Sequence, residues 1–252
     1  MREAGSPKQR LDQILVERGL APSKTVARAL IMAGKVRQGT ARLDKPGKTF
    51  AADTPLEVEA PPRYVSRGGE KMEAALRAFG LNLTGKTVLD IGASTGGFMD
   101  CLLQHGAVSA TGVDVGRAQL HPRLHQDPRI TSCEKVNARH LQPGDLPRET
   151  YDILVIDVSF ISLRLIVPAV WPFLISGGEA IFLLKPQFEA TREEVARGKG
   201  IIDEDTVRER IRDELLDFFT QTLPGAEVAG CIPCPVHGGD GNREFLAYLR
   251  KA

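Results

Sequence analysis

Lys86-Thr87-Val88-Leu89-Asp90-Ile91-Gly92-Ala93-Ser94-Thr95-Gly96-Gly97-Phe98 reads as a short apolar strand, a glycine-rich turn and the opening of a helix. Two classes of ligand compete for such a turn. A dinucleotide fold wants Gly-x-Gly-x-x-Gly so that backbone amides can approach a pyrophosphate, but Ser94 stands where the second glycine belongs. The strand also ends in a carboxylate, Asp90, which repels a diphosphate and favours a ligand carrying an ammonium or sulfonium charge.

Working outward, Ala110 to Val115 forms the next strand, and Asp114 at its end is placed to accept hydrogen bonds from ribose hydroxyls. Asn137-Ala138 follows a third strand, where it can face an adenine ring. Further strands are expected at Ile153 to Asp157 and Ala180 to Lys185, with helices at Lys71 to Phe79 and Val207 to Thr220. Apolar strands alternating with helices predict an α/β fold with a mainly parallel sheet covered on both faces. S-adenosyl-L-methionine is the cationic nucleoside that fits. Its expected contacts are Asp90, Gly92, Ser94, Thr95, Gly96, Gly97, Phe98, Asp114, Val115, Asn137, Ala138 and Asp157.

The chain has 252 residues, 42% hydrophobic and 26% charged, which is ordinary globular usage rather than the signature of disorder. The longest apolar run, Leu165 to Ile175, is interrupted by Pro168 and Pro172, and a membrane-spanning helix needs roughly 20 residues. The first twenty residues carry seven charged side chains without an apolar block, so no signal peptide is expected. Four cysteines are too few for a disulfide framework in this length. A cytoplasmic protein with no membrane association is the expectation.

Charge divides the chain. Residues 1–50 hold eleven Lys/Arg against four Asp/Glu, a net +7, so the other 202 residues sum to −6. A basic segment joined to a mildly acidic one suits a nucleic-acid grip attached to an enzyme, because Lys and Arg supply most non-specific affinity for phosphate; a solvated basic face would read the same way. Apolar Leu11, Ile14 and Leu15 recur at helical spacing, and Ser23 is placed as the N-cap of a second helix through Ile31. On that helix Lys24 and Arg28 share a face, with Val26, Ala29 and Leu30 expected inward. Leu56 to Glu59 alternates as a strand.

The pattern Arg10-Leu-Asp-x-x-Leu15, Ser23 to Arg28, Ile31-x-x-Gly34-x-Val36 resembles the S4 RNA-binding domain. The expected boundaries are an S4-like α+β domain at residues 8–60, a proline-stiffened linker at 61–65 and a larger domain at 66–252. Expected RNA contacts are Arg10, Lys24, Arg28, Lys35 and Arg67. Thr25 and the loop from Gln38 to Asp44 depart from the basic-rich norm of S4 domains.

Charged residues at the carboxyl ends of strands face the crevice where open α/β sheets place their ligands. Asp157 and Lys185 occupy such ends, Lys71 opens a helix and Glu244 precedes the alternating Phe245 to Leu249. Lys71, Asp157, Lys185 and Glu244 match in order the Lys-Asp-Lys-Glu tetrad of ribose 2′-O-methyltransferases of the FtsJ/RrmJ type. Their surroundings, Tyr64-Val-Ser-Arg-Gly-Gly-Glu-Lys71, Asp157-Val-Ser-Phe-Ile-Ser162, Leu184-Lys-Pro-Gln-Phe-Glu189 and Gly241-Asn-Arg-Glu-Phe245, resemble the TlyA (hemolysin A) family. The resemblance runs from about residue 10 to the end. It implies a class I, Rossmann-like methyltransferase with a seven-stranded sheet that uses S-adenosyl-L-methionine to methylate a cytidine 2′-hydroxyl of ribosomal RNA in ribosomal subunits. In that scheme Lys185 handles the hydroxyl proton, as a base if a neighbouring cation such as Lys71 disfavours its charge, or otherwise by stabilising the alkoxide. Asp157 and Glu244 orient the lysines.

Rival functions are a membrane-lytic hemolysin, which the family label suggests, and a non-catalytic RNA-binding assembly factor. A pore former has no need of Asp90 and Asp114 beside a glycine turn. Cys231-x-x-Cys234 with His237 lacks a second pair at zinc spacing, so no metal is expected. Arg192 to Lys199 reads either as an exposed loop or, through Arg197 and Lys199, as a contact to substrate phosphates, and Trp171 reads as a core residue. No obligate protein partner is evident.

Overall fold

The computed structural model describes residues 6–60, 62–238 and 240–252. Pro61, the first residue of the expected linker, and Gly239, in the loop before Glu244, lie outside the described residues. Two compact units divide between Arg63 and Tyr64.

The smaller unit runs β1 (Lys8–Arg10), α1 (Leu11–Glu17), α2 (Lys24–Met32), β2 (Val36–Gln38), β3 (Ala41–Leu43), β4 (Thr49–Ala51) and β5 (Glu57–Val58). β1 pairs with β4, and β2 with both β3 and β5, all antiparallel. The Ser23 hydroxyl accepts the Val26 amide at 3.3 Å, capping α2 as its sequence predicts. The inward face of α2 is Ala27 and Ile31, one turn apart, which pack with Leu11 and Leu15 of α1. The expectation of Val26 and Ala29 inward is therefore corrected: both are exposed, and Leu30 is half-buried. The inward stripe falls on Ala27 and Ile31, one residue past Val26 and Leu30.

The larger unit opens with α3 (Arg67–Phe79) and continues β6 (Thr87–Ile91), α4 (Gly97–Gln104), β7 (Ser109–Asp114), α5 (Pro122–His125), β8 (Ile130–Glu134), β9 (Tyr151–Ile156) and α6 (Leu163–Val170). It closes with β10 (Leu174–Leu184), α7 (Pro186–Glu189), α8 (Arg192–Arg197), α9 (Asp205–Thr222), β11 (Ala226–Pro233) and β12 (Phe245–Lys251). The sheet order is β11-β12-β10-β9-β6-β7-β8, parallel throughout except where β12 runs against β10 and β11. Neighbouring residues go to opposite faces, as a period of two requires. Leu89, Leu154, Ile156 and Phe182 join one core, while Val88, Ile153, Val155 and Ile181 join the other. Both faces are covered, which explains why these strands are continuously apolar. Trp171 is buried, its ring N–H donating to the Pro224 carbonyl at 2.9 Å.

Two expectations about helices change. α3 begins at Arg67, so Lys71 lies in its second turn. Of its Gly68-Gly69 pair, Gly69 is needed, because a Cβ there would lie 2.3 Å from the Tyr64 side chain. The Arg192 to Lys199 segment contains α8, started by a capping box in which the Thr191 hydroxyl accepts the Glu194 amide and the Glu194 carboxylate accepts the Thr191 amide.

Candidate active site

β6 lies between β9 and β7, so the chain leaves it toward β7 and β8 and later returns on its other side. Such a reversal opens a crevice at the carboxyl ends of the central strands. Asp90, Gly92 and Ala93 come from the end of β6, Asp157 and Ser159 follow β9, and Lys185 follows β10. β12 is antiparallel, with Phe245 paired to Leu184, so Glu244 at its start and Lys185 beyond β10 reach the same edge.

One pocket of about 190 Å³ at this edge is lined by Asp90, Gly92, Ser94, Thr95, Gly97 and Phe98 together with Asp157, Ser159 and Lys185. Ser66 and Gly68 close it from the start of α3. Glycine is required at two of these positions. Gly92 has φ +84°, and a Cβ there would lie 2.3 Å from the Asp157 carbonyl oxygen. A Cβ at Gly97 would lie 2.2 Å from the Ser66 hydroxyl, so the first turns of α3 and α4 meet only because it is absent.

Asp90 is 1% exposed, and among the described residues no donor reaches either carboxylate oxygen with good hydrogen-bond geometry, the Met99 amide being only nearby. Burial pushes its pKa well above the usual carboxylate range, and Asp157 and Asp114 push it further, against the nearby Met99 amide at the start of α4. An unsatisfied buried acid facing a concavity is a site prepared for a donor or a cation. The residues present therefore fit S-adenosyl-L-methionine, which carries both an ammonium and a sulfonium.

The other expected cofactor residues divide. Asp114 borders the pocket through Ser94, whose amide it accepts at 2.8 Å, and it also accepts the Gly116 amide at 2.7 Å. Both oxygens hold the turn in shape while each keeps a lone pair for a ribose hydroxyl. Val115 is 71% exposed beside it. Asn137 accepts the Arg139 amide at 3.1 Å, and Ala138 is buried in the core. Gly96 does not line the pocket. It is the left-handed N-cap of α4, and a Cβ there would collide with Leu120 and Leu124, so its role is to let that loop pack.

The four residues of the expected tetrad form two ion pairs. Lys71 Nζ lies 2.5 Å from Glu244 Oε2, and Lys185 Nζ lies 2.5 Å from Asp157 Oδ1. Lys185 also donates to Ser159 Oγ at 3.0 Å. The pairs are neighbours, since Lys185 and Glu244 each adjoin one residue of the paired Leu184 and Phe245. Lys71 is thus neutralised by its own acid and is not an unpaired cation acting on Lys185. Lys71, Lys185 and Glu244 are buried, and separating such pairs leaves an uncompensated buried charge.

Phe160 is absent from the expected set. It is 90% exposed and has φ +64°, a left-handed backbone that is strained for a bulky side chain. Its ring centroid lies 5.1 Å from that of Phe188, and Phe188 lies 5.9 Å from Lys185 Nζ. With Arg139 and Leu165 these rings line an open depression beside the lysine. The Ser-Phe-Ile-Ser stretch after Asp157 carries the signal, an aromatic residue in a polar turn at a strand end.

Three of the four expected RNA contacts of the smaller unit, Arg10, Arg28 and Lys35, are already engaged. Asp12 is fully buried and takes a two-point grip from Arg10, at 3.0 and 2.9 Å, and a further bond from Arg28 at 2.9 Å. These hydrogen bonds, Arg10 first, hold the Asp12 carboxyl well below the usual range. Lys35 pairs with Glu59 at 2.7 Å. Lys24 and Arg67 are exposed. No group of three or more metal-ligating side chains occurs among the described residues, and no helix among them is long and apolar enough to cross a membrane.

The FtsJ-like methyltransferase family model matches residues 64–251, and the S4 domain model matches residues 9–52. YqxC of Bacillus subtilis, provisionally named an rRNA methyltransferase, is 46% identical over 97% of this chain and 86% of its own length. The 16S/23S rRNA (cytidine-2′-O)-methyltransferase TlyA of Mycobacterium tuberculosis is 37% identical over 96% of this chain and 89% of its own. The solved structure of a provisionally named hemolysin from Streptococcus thermophilus is 42% identical, covers 98% of this chain and 89% of its own, and superposes with a TM-score of 0.73.

Proposed function

The chain belongs to the FtsJ-like methyltransferase family and carries an S4 domain, and we propose on that premise that it methylates a ribose 2′-hydroxyl of ribosomal RNA, at a cytidine within a ribosomal subunit. It is an S-adenosyl-L-methionine-dependent enzyme acting on RNA. The observation that carries the proposal is the single pocket shared by Asp90 with its glycine turn and by Asp157, Ser159 and Lys185. A donor seated at the turn and an acceptor at the lysine would then be adjacent.

When bound, S-adenosyl-L-methionine supplies an electrophilic methyl group on a sulfonium. The chain's own work is to present the sugar oxygen and manage its charge. A ribose hydroxyl is a poor nucleophile and must lose its proton as the oxygen–carbon bond forms and the carbon–sulfur bond breaks. Lys185 Nζ, held 2.5 Å from Asp157 Oδ1, is the atom placed to receive that proton. The Lys185 ammonium then faces the developing alkoxide, a contribution of about 3–4 kcal/mol for one well-placed donor. Ser159 fixes the ammonium's direction. The Lys71–Glu244 pair stands at the same sheet edge as Lys185, and Asp90 and Asp114 hold the cofactor end.

Phe160 and Phe188 offer a stacking surface for the target base, at about 1–3 kcal/mol per stacked base. Arg67 and Lys24 are cations free to approach phosphate, while Arg10 and Arg28 shape the smaller unit through Asp12 and present only their remaining N–H groups.

The test is transfer of a labelled methyl group to ribosomal subunits that lack the modification, followed by mapping of the methylated nucleotide. A single 2′-O-methylcytidine in ribosomal RNA is the expected product. Methylation of a base, or no transfer by cofactor-bound protein, would replace this reading with another methyltransferase specificity or with an assembly factor.

A further inference from the structure

The loop from Ser159 to Leu163 is held at both ends by one short segment. At its start, Ser159 Oγ accepts Lys185 Nζ at 3.0 Å. At its end, the Ser162 hydroxyl donates to Glu189 Oε2 at 2.5 Å and the Leu163 amide donates to Glu189 Oε1 at 2.6 Å. Lys185 is the N-cap of the single turn α7 and Glu189 its last residue, so the loop is clamped between the two ends of that turn.

Between the clamps sits Phe160 with its left-handed backbone, over Phe188 of that same turn. A strained φ persists only where surrounding contacts over-determine it. Glu189 contributes two short bonds of that kind, one from the Ser162 hydroxyl and one from the Leu163 amide. Capping α6 alone does not account for it, because the Ser162 hydroxyl already accepts the Arg164 amide at 3.1 Å as the N-cap of that helix. Burial raises the Glu189 carboxyl above its ordinary range, opposed by the same two bonds and by Arg164.

We propose that Glu189 is a positioning residue for methyl transfer, fixing the Ser159 to Leu163 loop so that Phe160 and the Ser159–Lys185 contact stay in place beside the reacting sugar. This rests on the function proposed above. Glu189 touches neither the pocket wall at the glycine turn nor the tetrad acids, so its effect passes through the loop.

The experiment uses the full chain, unmodified ribosomal subunits and S-adenosyl-L-methionine, with Glu189→Ala, Glu189→Gln and Ser162→Ala. For Glu189→Ala, kcat is expected to fall roughly 10- to 100-fold, the effect of an ångström-scale misplacement, while cofactor Kd stays within about twofold of wild type. Glu189→Gln keeps an acceptor for the Leu163 amide and is expected to recover most of kcat; Ser162→Ala removes one of the two bonds and should fall between. If Glu189→Ala does not fold, the order wild type, Glu189→Gln, Ser162→Ala in kcat carries the same prediction. Folded Glu189→Ala with wild-type kcat, or a loss of cofactor affinity matching the loss of rate, would overturn the positioning role alone. A wild-type chain that methylates no ribosomal subunit would overturn the parent reading and this one with it.

Discussion

Replacing Asp90 by asparagine should move two observables in opposite directions. Asp90 is 1% exposed, no donor among the described residues reaches its oxygens with good geometry, and its pKa stands well above the ordinary value because of burial first and Asp157 and Asp114 second. A folded-state pKa above the unfolded one means that the folded chain binds the extra proton. The associated stability is therefore complete below the unfolded value of about 4 and is lost as pH rises through the folded value. Asparagine has the same shape and no proton to lose, so the cofactor-free variant should gain stability over wild type as pH rises. An unsatisfied buried polar group costs about 1–3 kcal/mol, and more when charged. For a unit of this size that corresponds to a rise of roughly 2–12 °C in Tm at alkaline pH. Cofactor binding should go the other way. Losing a charge-assisted contact to a cationic ligand costs about 1.5–3 kcal/mol, or roughly 10- to 150-fold in Kd. Wild-type affinity should also strengthen with pH as Asp90 ionises, and the variant should lose that slope. Thermal melts across pH without ligand, paired with calorimetric titration of S-adenosyl-L-methionine, read both effects. A variant that is less stable than wild type at high pH, or that binds the cofactor with unchanged affinity and pH slope, would refute the assignment of Asp90 as the acid awaiting a cation.

Phe160→Ala should raise KM for ribosomal subunits by roughly 5- to 150-fold, the loss of one stacked base, with cofactor affinity unchanged by calorimetry; equal KM values would remove Phe160 from substrate contact. Lys24→Ala should lower RNA affinity and reduce the salt slope by about one phosphate contact, measured by titrating binding against ionic strength. Arg28→Ala should in addition make the smaller unit more sensitive to acid. The depressed Asp12 carboxyl contributes stability that is present above its unfolded value of about 4 and is lost as pH falls below it, and Arg28 supplies part of that depression. Lys24 acts on Asp12 through charge alone and less than the Arg28 bond does, so an acid shift for Arg28→Ala no larger than that for Lys24→Ala would contradict the distinction.

Local grammar made much of the larger unit legible. A strand ending in Asp90, a glycine turn and charged residues at successive strand ends each sit within a few residues, so their placement at one sheet edge follows from parallel topology alone. The pairing within the tetrad is different, because Lys71 and Glu244 meet only through the antiparallel return of β12 across a separation of 173 residues. Phe160 is silent in sequence for a related reason: nothing local says that a phenylalanine will take φ +64° and be held there by Lys185 and Glu189. Gly96 reads as a ligand contact because it belongs to the glycine run, yet its freedom serves Leu120 and Leu124. In the smaller unit a basic stripe does not reveal that Arg28 reaches back sixteen residues to a buried Asp12. The α8 helix is a different case, since Thr191-x-x-Glu194 is a readable capping box outweighed by the charged, glycine-ended stretch around it.

The central claim concerns Lys185, and the direct measurement is single-turnover methyl transfer by Lys185→Ala on unmodified ribosomal subunits, with S-adenosyl-L-methionine affinity determined on the same preparation. A fall in rate of about 10²- to 10³-fold with nearly unchanged cofactor affinity is the predicted result. Wild-type turnover by the folded variant would contradict it.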